Sequence, residues 1–298
     1  MANLREIKRR IKSVKNTRQI TKAMQLVAAS KMKRAQEQAV AGIPYVVYLA
    51  NILKIVSDKI ERPEHPLFKE RKVNKRGILL ISTDRGLCGA LNSNLFRHLT
   101  RNQKKEECRY FAIGRKAVQF LSRTGRELAA DFELEEKVTF RKIRLICETM
   151  LKEYEAGTID TIEVLYPRFI NTLVQTPMEA KLVPFSNLRD LIKKYEDMGK
   201  RDSQIPEMLP PDGRELKFEP SAEAVLDELP ALFVKQEVYQ MSLSGKASEH
   251  SARMVAMKSA TDNANNLIDD LTLEYNKARQ AAITQEVLEI AAAAATTE

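Results

Sequence analysis

The stretch best suited to chemistry is Ser82-Thr83-Asp84-Arg85-Gly86-Leu87-Cys88-Gly89-Ala90-Leu91-Asn92. It follows a short apolar run, Gly77–Ser82, that reads as a buried strand, and it opens a segment that reads as a helix. Turns of this kind at helix N-termini bind anions and can lower a thiol pKa. One reading is therefore a Cys88 nucleophile or a phosphate loop. The other is a tight strand–helix turn that uses two glycines and tucks a small apolar Cys beneath it. A lone G-x-x-G is a weak signal and no base is indicated near Cys88, so the turn is the reading carried forward.

Other reactive patterns are missing. There is no G-x-x-x-x-G-K-S/T to cradle a triphosphate, and Gly245-Lys246 is followed by Ala inside a helical stretch. His65, His98 and His250 are scattered and no H-E-x-x-H occurs, so no metal site is expected. Cys88, Cys108 and Cys147 are an odd, widely spaced set without C-x-x-C, which predicts reduced thiols of a cytosolic compartment. No catalytic residue and no cofactor is expected.

The elements around that turn explain the charge. The chain has 298 residues and a net charge of +9, yet residues 1–34 alone hold 11 basic side chains against one acid, Glu6. The basic character thus belongs to one N-terminal element on a near-neutral body. Self-repulsion in such an element calls for a negatively charged partner. In that element Leu4, Ile7, Ile11 and Val14 recur at helical spacing, and Ile20, Met24, Val27 and either Lys31 or Met32 are expected to carry the stripe onward. Pro44 is expected to start or kink a second segment of the same helix.

At the other end Met257, Ala260, Ala264, Leu267 and Leu271 form a matching stripe. Two long seams at opposite ends of one chain bury each other by pairing, which predicts an antiparallel two-helix coiled coil. Between them, Tyr110–Ile113, Thr161–Tyr166 and Leu173–Leu182 read as strands. Leu91–Gln103, Arg115–Arg123 and Thr139–Tyr154 read as helices. That alternation predicts a parallel sheet closed by an antiparallel strand. The fold class is a mixed α+β/α/β chain: a terminal coiled coil with an inserted Rossmann-like α/β domain. The expected divisions are a helix over 1–60, a globular domain over 74–198, a Pro- and charge-rich connection over 199–220 and a helix over 221–298. The start, MANLREIKRRIKSVKN, lacks the apolar core of a secretory leader, and no run approaches the roughly 20 apolar residues of a membrane span.

Two segments carry a resemblance: 7–33 (IKRRIKSVKNTRQITKAMQLVAASKMK) and 247–290 (ASEHSARMVAMKSATDNANNLIDDLTLEYNKARQAAITQEVLEI). Both resemble the γ-subunit family of F-type ATP synthases, as does DRGLCGALN, and the likeness runs through the whole chain in order. The resemblance implies a non-catalytic central rotor shaft of a proton-translocating ATP synthase, coupling rotation of the c-subunit ring to the catalytic β subunits. It implies α, β, ε and c-ring partners and no nucleic acid. It also implies membrane association only through the complex, at the cytoplasmic face. By motif, Met24 would meet acidic β-subunit loops, and Arg253, Arg279, Gln280 and Thr284 would meet a β catch loop. The tail from Val287 to Ala295 would turn inside a collar, and Glu219 would face the c ring. Residues 199–220 depart from the family pattern. The alternative left by the residues alone is a basic coiled-coil protein that binds nucleic acid or an acidic membrane surface.

Overall fold

The computed structural model describes residues 4–59, 65–102, 107–185, 218–219 and 221–295. The expected connection over 199–220 lies outside them except for Phe218 and Glu219, as does the stretch beyond Phe185 in the expected globular domain. The described chain runs α1 (Leu4–Lys59), β1 (Lys75–Ile81), α2 (Leu91–Arg101), β2 (Glu107–Ile113) and α3 (Arg115–Arg123). It continues with β3 (Leu128–Phe132), α4 (Phe140–Glu155), β4 (Thr161–Phe169), β5 (Gln175–Val183) and α5 (Ala222–Ala295). Both long helices run through their prolines, Pro44 in α1 and Pro230 in α5.

Two compact units result. One comprises residues 1–30 and 253–298, the other residues 31–252.

In the larger unit a five-stranded sheet has the order β3-β2-β1-β4-β5. The first four strands are parallel and β5 is antiparallel to β4. The run Gly77–Ile81 explains why β1 sits at its centre: both of its faces are apolar. Ile78 and Leu80 pack with Leu95, Leu99, Ala117 and Leu121 of α2 and α3. Leu79 and Ile81 pack on the opposite face with Ile143 and Met150 of α4 and with apolar residues of α1 and α5. Burial on both faces is the usual condition of a parallel sheet. The β4–β5 turn is set by Asn171, whose Oδ1 accepts from the amides of Leu173 and Val174 at 2.9 Å. That turn delays β5 to Gln175 from the expected Leu173. Strand β3 has no counterpart in the sequence reading. LAADF is a five-residue, half-buried edge strand with too little alternation to signal itself.

The smaller unit is an antiparallel pair of helical segments. Thr21 and Thr261 share a hydroxyl–hydroxyl hydrogen bond of 2.8 Å, and Arg18 Nη1 donates to Asn265 Oδ1 at 3.2 Å. Descending from 21 to 18 on one helix thus matches ascending from 261 to 265 on the other. The buried positions of α5 here are Met257, Thr261, Ala264, Ile268 and Leu271, at spacings of 4, 3, 4 and 3. On α1 the buried and half-buried positions include 4, 7, 11, 14, 18, 21, 25 and 28, an unbroken heptad pattern, with Met24 and Ala29 half-buried beside it.

This corrects the expected stripe in detail. After Val14 the seam continues through Arg18, Thr21, Gln25 and Ala28, while Ile20 is 61% and Val27 53% exposed. Ala260 and Leu267 likewise yield to Thr261 and Ile268 as seam residues. Polar side chains hold the seam where apolar ones were expected, and apolar side chains face outward.

Candidate functional site

The turn after β1 is occupied by its own structure. Thr83 Oγ1 donates to the Arg85 carbonyl at 2.7 Å and accepts from Asn92 Nδ2 at 2.8 Å. Asn92 Nδ2 also lies 3.4 Å from Cys88 Sγ, and Cys88 is buried. Asp84 Oδ1 accepts from the Arg115 amide at 3.2 Å, which satisfies one of the open N–H groups at the start of α3. The polar groups of this stretch are used to join β1, α2 and α3. That favours the turn reading over a nucleophile or phosphate loop.

In sheets of this order, ligands bind beyond the carboxyl ends of the strands where the winding reverses, here between β1 and β4. Helix α5 fills that crevice. A Cβ on Gly245 would stand 3.4 Å from Ile81 Cγ2 and 3.9 Å from Pro167 Cδ, so the helix lies directly on the ends of both strands. Ser248 Oγ donates to the Pro167 carbonyl at 2.9 Å, and Ser244 Oγ accepts from the Phe169 amide at 3.0 Å. Lys246 Nζ stands 3.9 Å from Asp84. The place where a Rossmann-like sheet would take a nucleotide serves here to anchor a helix. Among the described residues no three His, Cys, Asp or Glu side chains converge in a metal-holding group.

The sheet itself carries a buried charge cluster. Arg76 on β1 pairs with Glu163 on β4 and Glu179 on β5, all but Glu179 fully buried, and Thr161 Oγ1 donates to Glu163 at 3.0 Å. Burial pushes the Glu163 carboxyl up, but its hydrogen bonds, chiefly with Arg76, outweigh that and leave it below the ordinary range. Burial opposes the Arg76 charge while the two carboxylates hold it, so the guanidinium stays charged. This is strand fastening.

The surface of the smaller unit remains. Arg5, Lys8, Arg9, Arg10, Lys12, Lys15 and Lys22 are all exposed, flanking the seam, and Ile20, Leu26, Val27, Leu267 and Leu273 are exposed among them. From the Thr21–Thr261 rung, counting back along α1 places Leu4 opposite about residue 278 of α5. Beyond it Ile283, Val287, Leu288 and Ile290 are exposed, Ile290 to 70%. Every residue from Ile283 to Ala291 is exposed. Four large apolar side chains left uncovered within nine residues, among Thr284, Gln285, Glu286 and Glu289, mark a surface for a partner.

The residues singled out by sequence fall at two levels. Met24 and Arg253 are half-buried, and both lie on the Met257 side of the Thr rung. Arg279, Gln280 and Thr284 are exposed, about 27 Å or more along α5 on the other side. Thr284 Oγ1 donates to the Gln280 carbonyl at 2.9 Å, leaving its lone pairs outward. Glu219 is exposed and lines a groove of about 400 Å3 with Val225, Leu229 and Leu232 of α5. Sequence reasoning missed the outward apolar residues as a surface, because it assigned Ile20 and Val27 to the seam.

The family model described as ATP synthase matches residues 3–296. An ATP synthase gamma chain of Opitutus terrae is 50% identical over 293 residues, covering 98% of each chain. One of Methylacidiphilum infernorum is 44% identical over 298 residues, again covering 98% of each. In fold, the chain is similar to a solved rotor of the Euglena gracilis mitochondrial ATP synthase in rotational state 1. The TM-score is 0.64 over 94% of this chain and 98% of that one, at 17% identity. Matched over nearly its whole length at this identity, the chain belongs to the ATP synthase gamma-chain family.

Proposed function

We propose that the chain is the central rotor shaft of a proton-translocating F-type ATP synthase, non-catalytic by itself. The observation that carries this reading is the set of uncovered apolar side chains Ile283, Val287, Leu288 and Ile290 near the end of a basic two-helix segment. Such a surface fits a collar that encloses it, and the exposed cations fit acidic loops on that collar. The α and β subunits of the catalytic hexamer are the proposed collar, with ε and the c-subunit ring at the globular end. Membrane association then comes through the complex, at the cytoplasmic face. Among the described residues no helix is long and apolar enough to cross a membrane.

The mechanism is differential binding. A shaft of two unlike helices, ending in one, presents a different face to each of three identical neighbours. Each catalytic subunit is biased towards a different nucleotide affinity, and turning the shaft exchanges those states. Met24 and Arg253 would bear on the β subunits at one level, and Arg279, Gln280 and Thr284 at another. Glu219 would face the c ring. The proposed division of labour keeps residues 1–60 and 221–298 as shaft, 74–198 as globular body and 199–220 as connection. The seam pattern and the family membership leave the nucleic-acid and membrane-surface reading without an observation in its favour.

The test is a reconstituted complex carrying R279A and Q280A together. Assembly with α and β subunits should persist in moderate salt while coupled ATP synthesis falls. Unchanged coupled turnover in a fully assembled complex would reject the role given to these residues.

A further inference from the structure

A cleft of about 520 Å3 opens in the larger unit between α1, the loop before α4 and α5. The volume lies in the range of small-molecule sites and exceeds what a lone phosphate fills. Its floor is apolar and buried: Ala35, Val138 and Leu243. Its walls carry the charge.

One of those charges, Lys31, is held by a carboxylate of the cleft. Glu136 accepts from Lys31 Nζ at 2.7 Å, and His250 and Lys246 act on it through space. The Lys31 hydrogen bond comes first among the causes that hold the Glu136 carboxyl below its ordinary range. Yet Glu136 is 62% exposed and sits on a loop, not on a helix or strand. Lys31 of α1 thus grips an oxyanion carried on a loop, while Lys246 on the same cleft is paired with Glu249 at 3.2 Å. At the rim Arg34 and Lys137 are exposed, and neither makes an ion pair with a described residue. The second acid of the cleft, Glu37, already stands 3.9 Å from Lys33 outside it.

We propose that this cleft binds the polyphosphate group of a small phosphorylated molecule, and that Glu136 holds the place of one phosphate in the unliganded chain. Arg34 offers a planar fork for a second phosphate, and Lys31 and Lys137 offer point charges. The floor accepts the non-phosphate part. The site uses none of the contact residues Met24, Glu219, Arg253, Arg279, Gln280 and Thr284 named for the shaft reading, so the two can fail separately.

The test is equilibrium dialysis of the full chain against inorganic pyrophosphate at about 0.1 M salt, where exposed charges more than a Debye length apart are screened. R34A with K137A should weaken binding roughly tenfold or more. E136Q should strengthen it, because the internal competitor loses its charge. R9A with R10A, on the exposed basic helix, should leave it unchanged. All of these positions are exposed, so folding is not at stake, and the His250 ring resonances should shift on titration. Three results overturn the proposal: binding unaffected by R34A with K137A, binding weakened by E136Q, or capture of polyglutamate without capture of pyrophosphate.

Discussion

Thr21 and Thr261, 240 positions apart, meet hydroxyl to hydroxyl at 2.8 Å in the seam between the terminal helices. Each also lies within reach of a carbonyl on its own helix, Arg18 at 3.0 Å and Met257 at 2.8 Å. The two hydroxyls carry two protons for these three contacts, so one hydroxyl donates across the seam while the other donates to its own helix. A buried polar rung of this kind defines which residues face each other, because any slip leaves both hydroxyls against apolar neighbours. The expected outcome of T21V or T261V alone is a loss of about 1 kcal/mol, and of the pair together less than the sum. Denaturant titration of the four chains gives the coupling. Strict additivity would mean the rung does not act as a unit.

Glu163 yields a pH prediction. Its folded pKa lies below the ordinary value, so its contribution to stability is present above the unfolded pKa and is lost as pH falls through the folded one. Glu127, held by Lys75 and Arg109, shifts the same way. Stability should be level near neutrality and fall below about pH 4. E163Q should flatten that fall and cost about 3 kcal/mol at pH 7, since it leaves Arg76 buried with only Glu179. Melting curves from pH 3 to 7 check both statements. A steeper acid fall in E163Q would assign the titration elsewhere.

How much of this was legible in the sequence depends on how local the signal was. Gly77–Ile81 announces a strand because five residues decide it, and the order of strands and helices follows from their alternation. The N-terminal seam was legible as far as Val14, where apolar residues occupy it. It was lost at Arg18, Thr21 and Gln25, because hydrophobicity marks the core only when nothing else competes for apolar surface. In this chain Ile20 and Val27 are turned outward, and a partner surface mimics a core stripe. Glu136 could not be read at all. Its cation, Lys31, stands 105 positions away along the chain, and no spacing rule reaches that far.

The cysteines separate by burial. Cys147 lies on the buried face of α4, and burial pushes its thiol up to about 12. Cys88 is buried in the turn after β1, and Cys108 is half-buried on β2. Alkylation of the native chain at pH 8 should modify Cys108 first, with Cys147 labelled only on unfolding. Peptide mapping against time distinguishes the three. Early labelling of Cys147 would contradict its place in the core.

Gly114 and Gly125 make a controlled pair for the strand ends. Both have positive φ, 90° and 62°. A Cβ on Gly125 would meet nothing within 4 Å, so G125A carries only the conformational cost, about 1 kcal/mol. A Cβ on Gly114 would stand 2.6 Å from the Ser82 carbonyl oxygen, which is backbone and cannot swing away. Ser82 Oγ already spans this point, donating towards the Ile113 carbonyl at 3.1 Å and accepting from the Ala117 amide at 2.8 Å. G114A must therefore separate the ends of β1 and β2, and its cost should exceed that of G125A by about 2 kcal/mol or more. Because the turn after β1 sets the ground on which α5 rests, G114A should also reduce incorporation into the assembled complex, whereas G125A should not. Equal stability of the two variants in urea would mean that the strand ends yield more easily than their hydrogen bonds imply.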